Sequence, residues 1–319
     1  MTVAALHPAL AAVPAALFLW WFSTGALLWL ARLGSRRGSP GGSRGGGAMG
    51  GVTIIGTAAV LLAASLWGSA ALAGEATVAA AYTSFLCGLG AWGFVELTFL
   101  TGFLAGPVTR PCPVGATGRR RFGLALGTVL WHELAILAVG GALLATCWGA
   151  VNQTGAWAYI LLMAMRVSAK LNLFLGVPYP PTAMLSRPLS HLESYFRVRR
   201  FSALLPIVIT AATALATLVA WRAATPGLDA FHATAYALFW TLLVLGIAEH
   251  WFLILPVRES VLWRWFLERE PRSRPASTAA QGRGQPSRTG AHAPSGSYLT
   301  GATHVAGNEE GGASRPRPA

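Results

Sequence analysis

Seven stretches of this chain stay apolar for about 20 residues or more, enough at 1.5 Å per residue to cross roughly 30 Å of hydrocarbon. They fall at about 9–33, 52–73, 76–105, 122–150, 156–177, 202–224 and 230–255. Lipid offers backbone amides no partner, so stretches of that length are read as helices. Composition agrees: 54% of the residues are hydrophobic and 11% charged, where a soluble domain carries about a quarter charged. The expected fold is all-α, a polytopic membrane bundle of about seven transmembrane helices. A net charge of +13 would suit nucleic acid, but the arginines lie between the apolar spans, where they set orientation. No nucleic-acid partner is expected.

Orientation follows from where the arginines sit. The first, third and fifth connections and the C-terminal segment hold nearly all of them, including Arg36, Arg37 and Arg44 and the run Arg119-Arg120-Arg121. The second and fourth connections hold none, and the sixth is flanked by Arg222 alone. Positive-inside placement puts the N-terminus in the periplasm and the C-terminus in the cytoplasm of a bacterial inner membrane, cytoplasmic or intracytoplasmic, with membrane lipids as the surrounding partner. The start, Met1 to Pro8, has no basic n-region, so the first span reads as a true helix rather than a cleaved signal. Cys87, Cys112 and Cys147 lack CxxC spacing and indicate neither a disulfide framework nor a thiolate metal site. Residues 257–270 put Val261, Leu262, Trp265 and Phe266 on one side, as an interfacial helix does. The stretch 183–199 can lie on the membrane in the same way, although Pro188 interrupts it. Residues 1–270 are therefore read as a transmembrane bundle with short cytoplasmic interfacial helices. Residues 271–319, rich in Pro, Gly, Ser and Arg, are read as a disordered cytoplasmic tail.

Ionisable groups inside the spans carry the functional information. Trp131-His132-Glu133 lies in the fourth span, and the trio returns in reverse as Glu249-His250-Trp251 in the seventh. Glu96 lies in the third span, and Arg166, Lys170 and Asn172 in the fifth. Lys170 is the one lysine among 24 basic residues. Each isolated charge in hydrocarbon costs about 2.5–3.5 kcal/mol on insertion scales, so these groups are expected to meet. At 1.5 Å per residue, His132 and Glu133 lie roughly 16 Å into their helix. Arg166 and Lys170 are four apart and share a helix face.

Three readings of such a cluster compete. Three glutamates balanced by Arg166 and Lys170, with the histidines hydrogen-bonded and Asn172 as a further partner, can simply set helix register. Glu96, His132, Glu133, Glu249 and His250 can instead ligate a metal ion, or an imidazole can ligate the magnesium of a bacteriochlorophyll. The same groups can also move protons or substrates. Enzyme signatures fail on spacing: His132-Glu133 begins an HExxH pattern, but Ile136 stands where the second histidine belongs. Glu249 and His250 are adjacent rather than spaced Glu-x-x-His. The tryptophans of the first span, Trp20, Trp21 and Trp29, read as interfacial anchors. Trp131 and Trp251, beside the histidines, read as packing groups ahead of pigment contacts.

Several stretches together carry a family likeness: Trp20 through Gly25 (WWFSTG), Glu96 through Gly106 (ELTFLTGFLAG), Pro111-Cys112-Pro113 and Trp131 through Ile136 (WHELAI). Arg166 through Pro178 (RVSAKLNLFLGVP), Ser194 through Arg197 (SYFR) and Glu249 through Phe252 (EHWF) continue it. Over roughly residues 10–268 the chain resembles the PuhE-type photosynthetic complex assembly proteins of anoxygenic phototrophic bacteria. The glycine-rich linker at 38–51 and the tail beyond 271 look like additions to that pattern. The resemblance implies a part in building the photosynthetic reaction centre and its core light-harvesting antenna, whose subunits would be the partners. The family's genes are associated with the reaction-centre H subunit, and an influence on bacteriochlorophyll supply is implied as well. The reading is thus an assembly factor rather than an enzyme. An intramembrane metalloenzyme acting on a tetrapyrrole or lipid is the alternative, and a transporter with Arg166 and Lys170 in its path stands third.

Overall fold

A computed structural model describes residues 3–36, 46–182, 185–200 and 202–256. It contains seven α-helices: α1 (Val3–Arg36), α2 (Gly46–Ala71), α3 (Val78–Leu100), α4 (Gly118–Thr146), α5 (Thr154–Leu175), α6 (Leu204–Ala223) and α7 (Ala230–Phe252). All seven hold a stretch long and apolar enough to span a membrane, and no strand is found among the described residues. The polytopic helical bundle expected from the seven spans is what forms. The segments 257–270 and 271–319, expected as an interfacial helix and a disordered tail, lie outside the described residues.

Two of the helix ends that differ from expectation lie next to the site. α3 stops at Leu100, five residues short of 105, because the Thr101 hydroxyl and amide both return to the Leu97 carbonyl (2.8 and 3.0 Å) and Gly102 follows at φ 77. That positive φ is a conformation glycine adopts without a Cβ penalty. α4 starts at Gly118 and takes the three arginines into its first turn.

α3 and α7 are the inner helices, with 44% and 50% of their apolar windows buried against 17–22% for the others. α3 packs on α1, α2, α4, α5 and α7, α1 lies along α7, and α6 rests on α7 and α5. α3 and α5 approach each other closely. A Cβ on Gly88 would stand 2.3 Å from the Gly155 carbonyl oxygen, and one on Gly155 would stand 2.2 Å from the Ser84 carbonyl oxygen. Small residues let helix backbones touch in this way, which matters in lipid because packing replaces the hydrophobic drive. Hydrogen bonds pin the contact: Gly155 N–H donates to Ser84 Oγ (2.9 Å), and Asn152 Nδ2 in the α4–α5 turn donates to the Ala80 carbonyl (3.2 Å).

The opposite end, which bears the basic connections, is closed by chain rather than left open. After α3 the loop runs along α4, where Val108 N–H donates to Gly127 O (3.1 Å) and His132 N–H to Ala105 O (3.1 Å). In the stretch 183–199, residues 183 and 184 lie outside the described residues. Arg187–Tyr195 is a 3₁₀ helix that buries Leu189, Leu192 and Tyr195, packing the two leucines with Phe99 and Ala105. Pro188 fits the first turn of that helix, where its missing N–H has no bond to lose. Arg121, expected only as an orientation signal, is buried here. Its guanidinium donates to the Phe174 carbonyl at the end of α5 (3.2 Å) and to the Tyr195 carbonyl, and stacks 4.2 Å from the Phe174 ring centroid. It thus satisfies a helix-terminal carbonyl that α5 itself leaves without a donor.

The Gly88–Gly155 contact makes a direct prediction. Gly155→Ala must push α5 off α3 and should cost about 1–3 kcal/mol, as overpacking does. Gly56→Ala on α2, where an added Cβ meets nothing within 4 Å, should leave stability unchanged or slightly raised. Thermal melts of the detergent-purified variants check both.

Candidate functional site

α5 presents Arg166 and Lys170 to two different helices. Arg166 Nη2 donates to Glu96 Oε2 on α3 at 2.7 Å, and Lys170 Nζ donates to Glu133 Oε1 on α4 at 2.6 Å. Lys170 Nζ also stands 5.5 Å from the centroid of the Phe99 ring. These bonds follow the pairing reading of the intramembrane charges. Their net stabilisation is small because two ions lose their water, yet removing one partner of such a pair costs about 3–5 kcal/mol.

Both pairs stand in the wall of a partly open cavity of about 440 Å³ between α1, α3, α4, α5 and α7. Glu249 on α7 shares that wall, and its charge reaches Arg166. Most of the remaining lining is apolar: Trp92 and Phe99 from α3, Phe122 from α4, Phe174 from α5, and leucines from each helix. Trp20, expected as an interfacial anchor of the first span, belongs to this lining. Five of the seven expected ionisable groups therefore share one cavity.

The two histidines do not line it. His250 is fully buried; its Nδ1 lies 2.7 Å from the Gly246 carbonyl and its Nε2 2.9 Å from Ser168 Oγ. Both ring nitrogens are thereby occupied. His132 is fully buried too, stacked on Phe99 with ring centroids 4.2 Å apart, and neither nitrogen meets a hydrogen-bond partner among the described residues. Phe99 separates it from the cavity that Phe99 itself lines. Trp131 and Trp251 are 49% and 44% exposed beside these buried rings. Each adjacent Trp–His couple thus splits between the outside and inside of the bundle. Asn172 pairs with no charge: its Nδ2 donates to the Ser168 carbonyl at 2.9 Å, and its Oδ1 accepts from Ser202 Oγ.

The family model described as protein of unknown function (DUF3623) matches residues 6–274. The chain belongs to that family. A relative from Rhodobacter capsulatus, an uncharacterized 30.4 kDa protein in the puhA 5′ region, is 37% identical over 251 residues, which is 79% of this chain and 88% of the relative. No solved structure matches.

In this DUF3623 protein the metal reading gains no geometry: among the described residues no three His, Cys, Asp or Glu side chains gather where they could hold one ion. Ser168 and His250 have the spacing of a nucleophile and its base. Neither lines the cavity, so no substrate reaches them there. Three features had no clear sequence signal: the cavity, the Phe99 ring between it and His132, and the turn of Asn152 docked on α3. The close approach is marked in the sequence only by single glycines, Gly88 on α3 and Gly155 on α5.

Two substitutions separate the roles of these groups. Lys170→Met alone should destabilise by about 3 kcal/mol, and adding Glu133→Leu should recover most of that, because the uncompensated carboxylate goes with it. His132→Leu should leave stability unchanged or raised by about 1 kcal/mol, since it removes buried nitrogens that bond nothing. Denaturant or thermal unfolding in one detergent measures both.

Proposed function

We propose that this DUF3623 protein is a PuhE-type assembly factor, working in the inner membrane of an anoxygenic phototroph on the reaction centre and core light-harvesting complex. The observation that carries the reading is the 37% identical relative in the puhA 5′ region, joined to the resemblance that ties such proteins to the reaction-centre H subunit gene. The bundle supports it physically. Its ligand-sized cavity at membrane depth, with charged groups on its wall, suits a protein that handles a membrane-embedded client. The arginine distribution supports an N-terminus in the periplasm and a basic end, with the C-terminus, in the cytoplasm.

Bacteriochlorophyll is the cofactor that this reading brings to mind, and the donor set can be tested against it. An imidazole nitrogen is the donor a chlorin magnesium takes, and neither His132 nitrogen meets a partner among the described residues. The ring is nevertheless sealed behind Phe99. The cavity wall offers carboxylates already engaged with or close to cations. The residues as arranged do not fit axial ligation, and no step of the proposed role passes through a bound pigment.

An in-frame deletion in a phototrophic host tests the role. Membranes of the deletion strain should lose reaction-centre and core-antenna absorption in the near infrared severalfold, with restoration by the wild-type gene. Unchanged complex levels would overturn the reading.

A further inference from the structure

We propose that the cavity binds a neutral, lipid-soluble ring compound that presents a carbonyl oxygen to Arg166. The charge balance of the wall selects for neutrality. Three carboxylates (Glu96, Glu133, Glu249) and two cations (Arg166, Lys170) line it. An anion would add to an existing excess of negative charge in a medium that screens poorly, and a cation would have to approach a guanidinium.

Exposure selects the recognition group. Glu96 is 7% exposed and stands behind the pair, whereas Arg166 shows 40% of its side-chain surface and is part of the cavity wall. The guanidinium is not locked flat against its partner. It bonds Glu96 Oε2 through one Nη, while Arg166 Nε and Glu96 Oε1 are buried with no partner among the described residues. A fork-to-fork pair would engage two N–H groups on two oxygens. The guanidinium carries five donors, and one is used by Glu96. Arg166 lines the cavity and carries N–H groups beyond the one that Glu96 takes, and a carbonyl oxygen is the common neutral acceptor among membrane-soluble molecules.

The walls select the shape of the rest. Trp20, Trp92, Phe99, Phe122 and Phe174 bring aromatic side chains from four helices to the wall of one space, and a cavity of about 440 Å³ lies in the range that holds a drug-sized ligand, about 300–1,000 Å³. A flat ring fits between such faces, with any long apolar tail running along the leucine lining. Two sources share this chemistry: the ring of a membrane quinone, and the keto and ester oxygens of a tetrapyrrole held without metal ligation. Binding of either is independent of the assembly role. A deletion phenotype can stand while this site fails, and the reverse.

Titration of the full-length, detergent-purified protein tests it, reading the thermal midpoint and tryptophan quenching. The probes are decylubiquinone and methyl pheophorbide a, with decylubiquinol, whose ring oxygens are hydroxyls, and dodecane as controls. One or both carbonyl carriers should raise the midpoint saturably, and which of them does so identifies the source. Ala125→Phe, which fills the cavity from α4 without touching either ion pair, should abolish the shift while retaining the apo midpoint. Glu96→Gln with Arg166→Gln, which keeps a neutral pair, should weaken binding roughly tenfold, the loss of about one charge-assisted hydrogen bond. No saturable shift with either carrier, an equal shift with decylubiquinol or dodecane, or full binding by Ala125→Phe would overturn the proposal.

Discussion

Charge in hydrocarbon is the constraint on which the bundle depends. Each of the groups on α3, α4, α5 and α7 is costly alone, and the structure meets the cost by sending the two cations of α5 to acids on two different neighbours. Arg166 draws on α3 and Lys170 on α4, so one face of one helix sets the position of both. Desolvation makes such pairs a weak source of net stability. Their effect is on register: a helix that slid by one turn would leave four charged side chains without partners at once. The glycine contact at Gly88–Gly155 supplies the second anchor on the same α3–α5 pair. Above it the backbones touch; toward the basic end the space between helices is wide enough for side chains and a cavity.

Much of this was legible in the chain, for physical reasons. Apolar length alone specifies helices in lipid, which is why all seven spans appear where the hydropathy put them. Two cations four residues apart on an otherwise apolar helix must find acids at the same depth, and Glu96 and Glu133 were at hand. The expectation that the two histidines would join them was different in kind. A neutral imidazole can be buried for far less than a charge, so nothing forced His132 and His250 into the polar strip. His250 found a carbonyl and a serine one helix away, and His132 stacked on Phe99.

What escaped the sequence was mostly loop and shape. Pro188 and the charged residues of 183–199 look like a surface segment, yet the buried faces of Leu189, Leu192 and Tyr195 turn it into a plug. Arg121 looked like one more orientation signal, but its carbonyl partners on α5 and the 3₁₀ helix make it the clasp of that plug. Cavities arise from what helices fail to fill, and no spacing pattern reports that. The cavity joins fold and purpose. The two ion pairs and the aromatic side chains of α3, α4 and α5 share the wall of one space, in a family that includes a protein from the puhA 5′ region.

The lone lysine allows the pairing to be observed directly. Growth on side-chain ¹⁵N-labelled lysine places a single labelled Nζ in the protein, at Lys170, and ¹³C-carboxyl glutamate labels its partner. Solid-state rotational-echo dipolar recoupling in lipid bilayers then reports whether the two are in contact. A 2.6 Å bond to Glu133 predicts strong dephasing of the ammonium signal, lost on Glu133→Gln. An ammonium signal that shows no dipolar coupling to any glutamate carboxyl, or keeps it unchanged without Glu133, would contradict the pairing on which the interior is built.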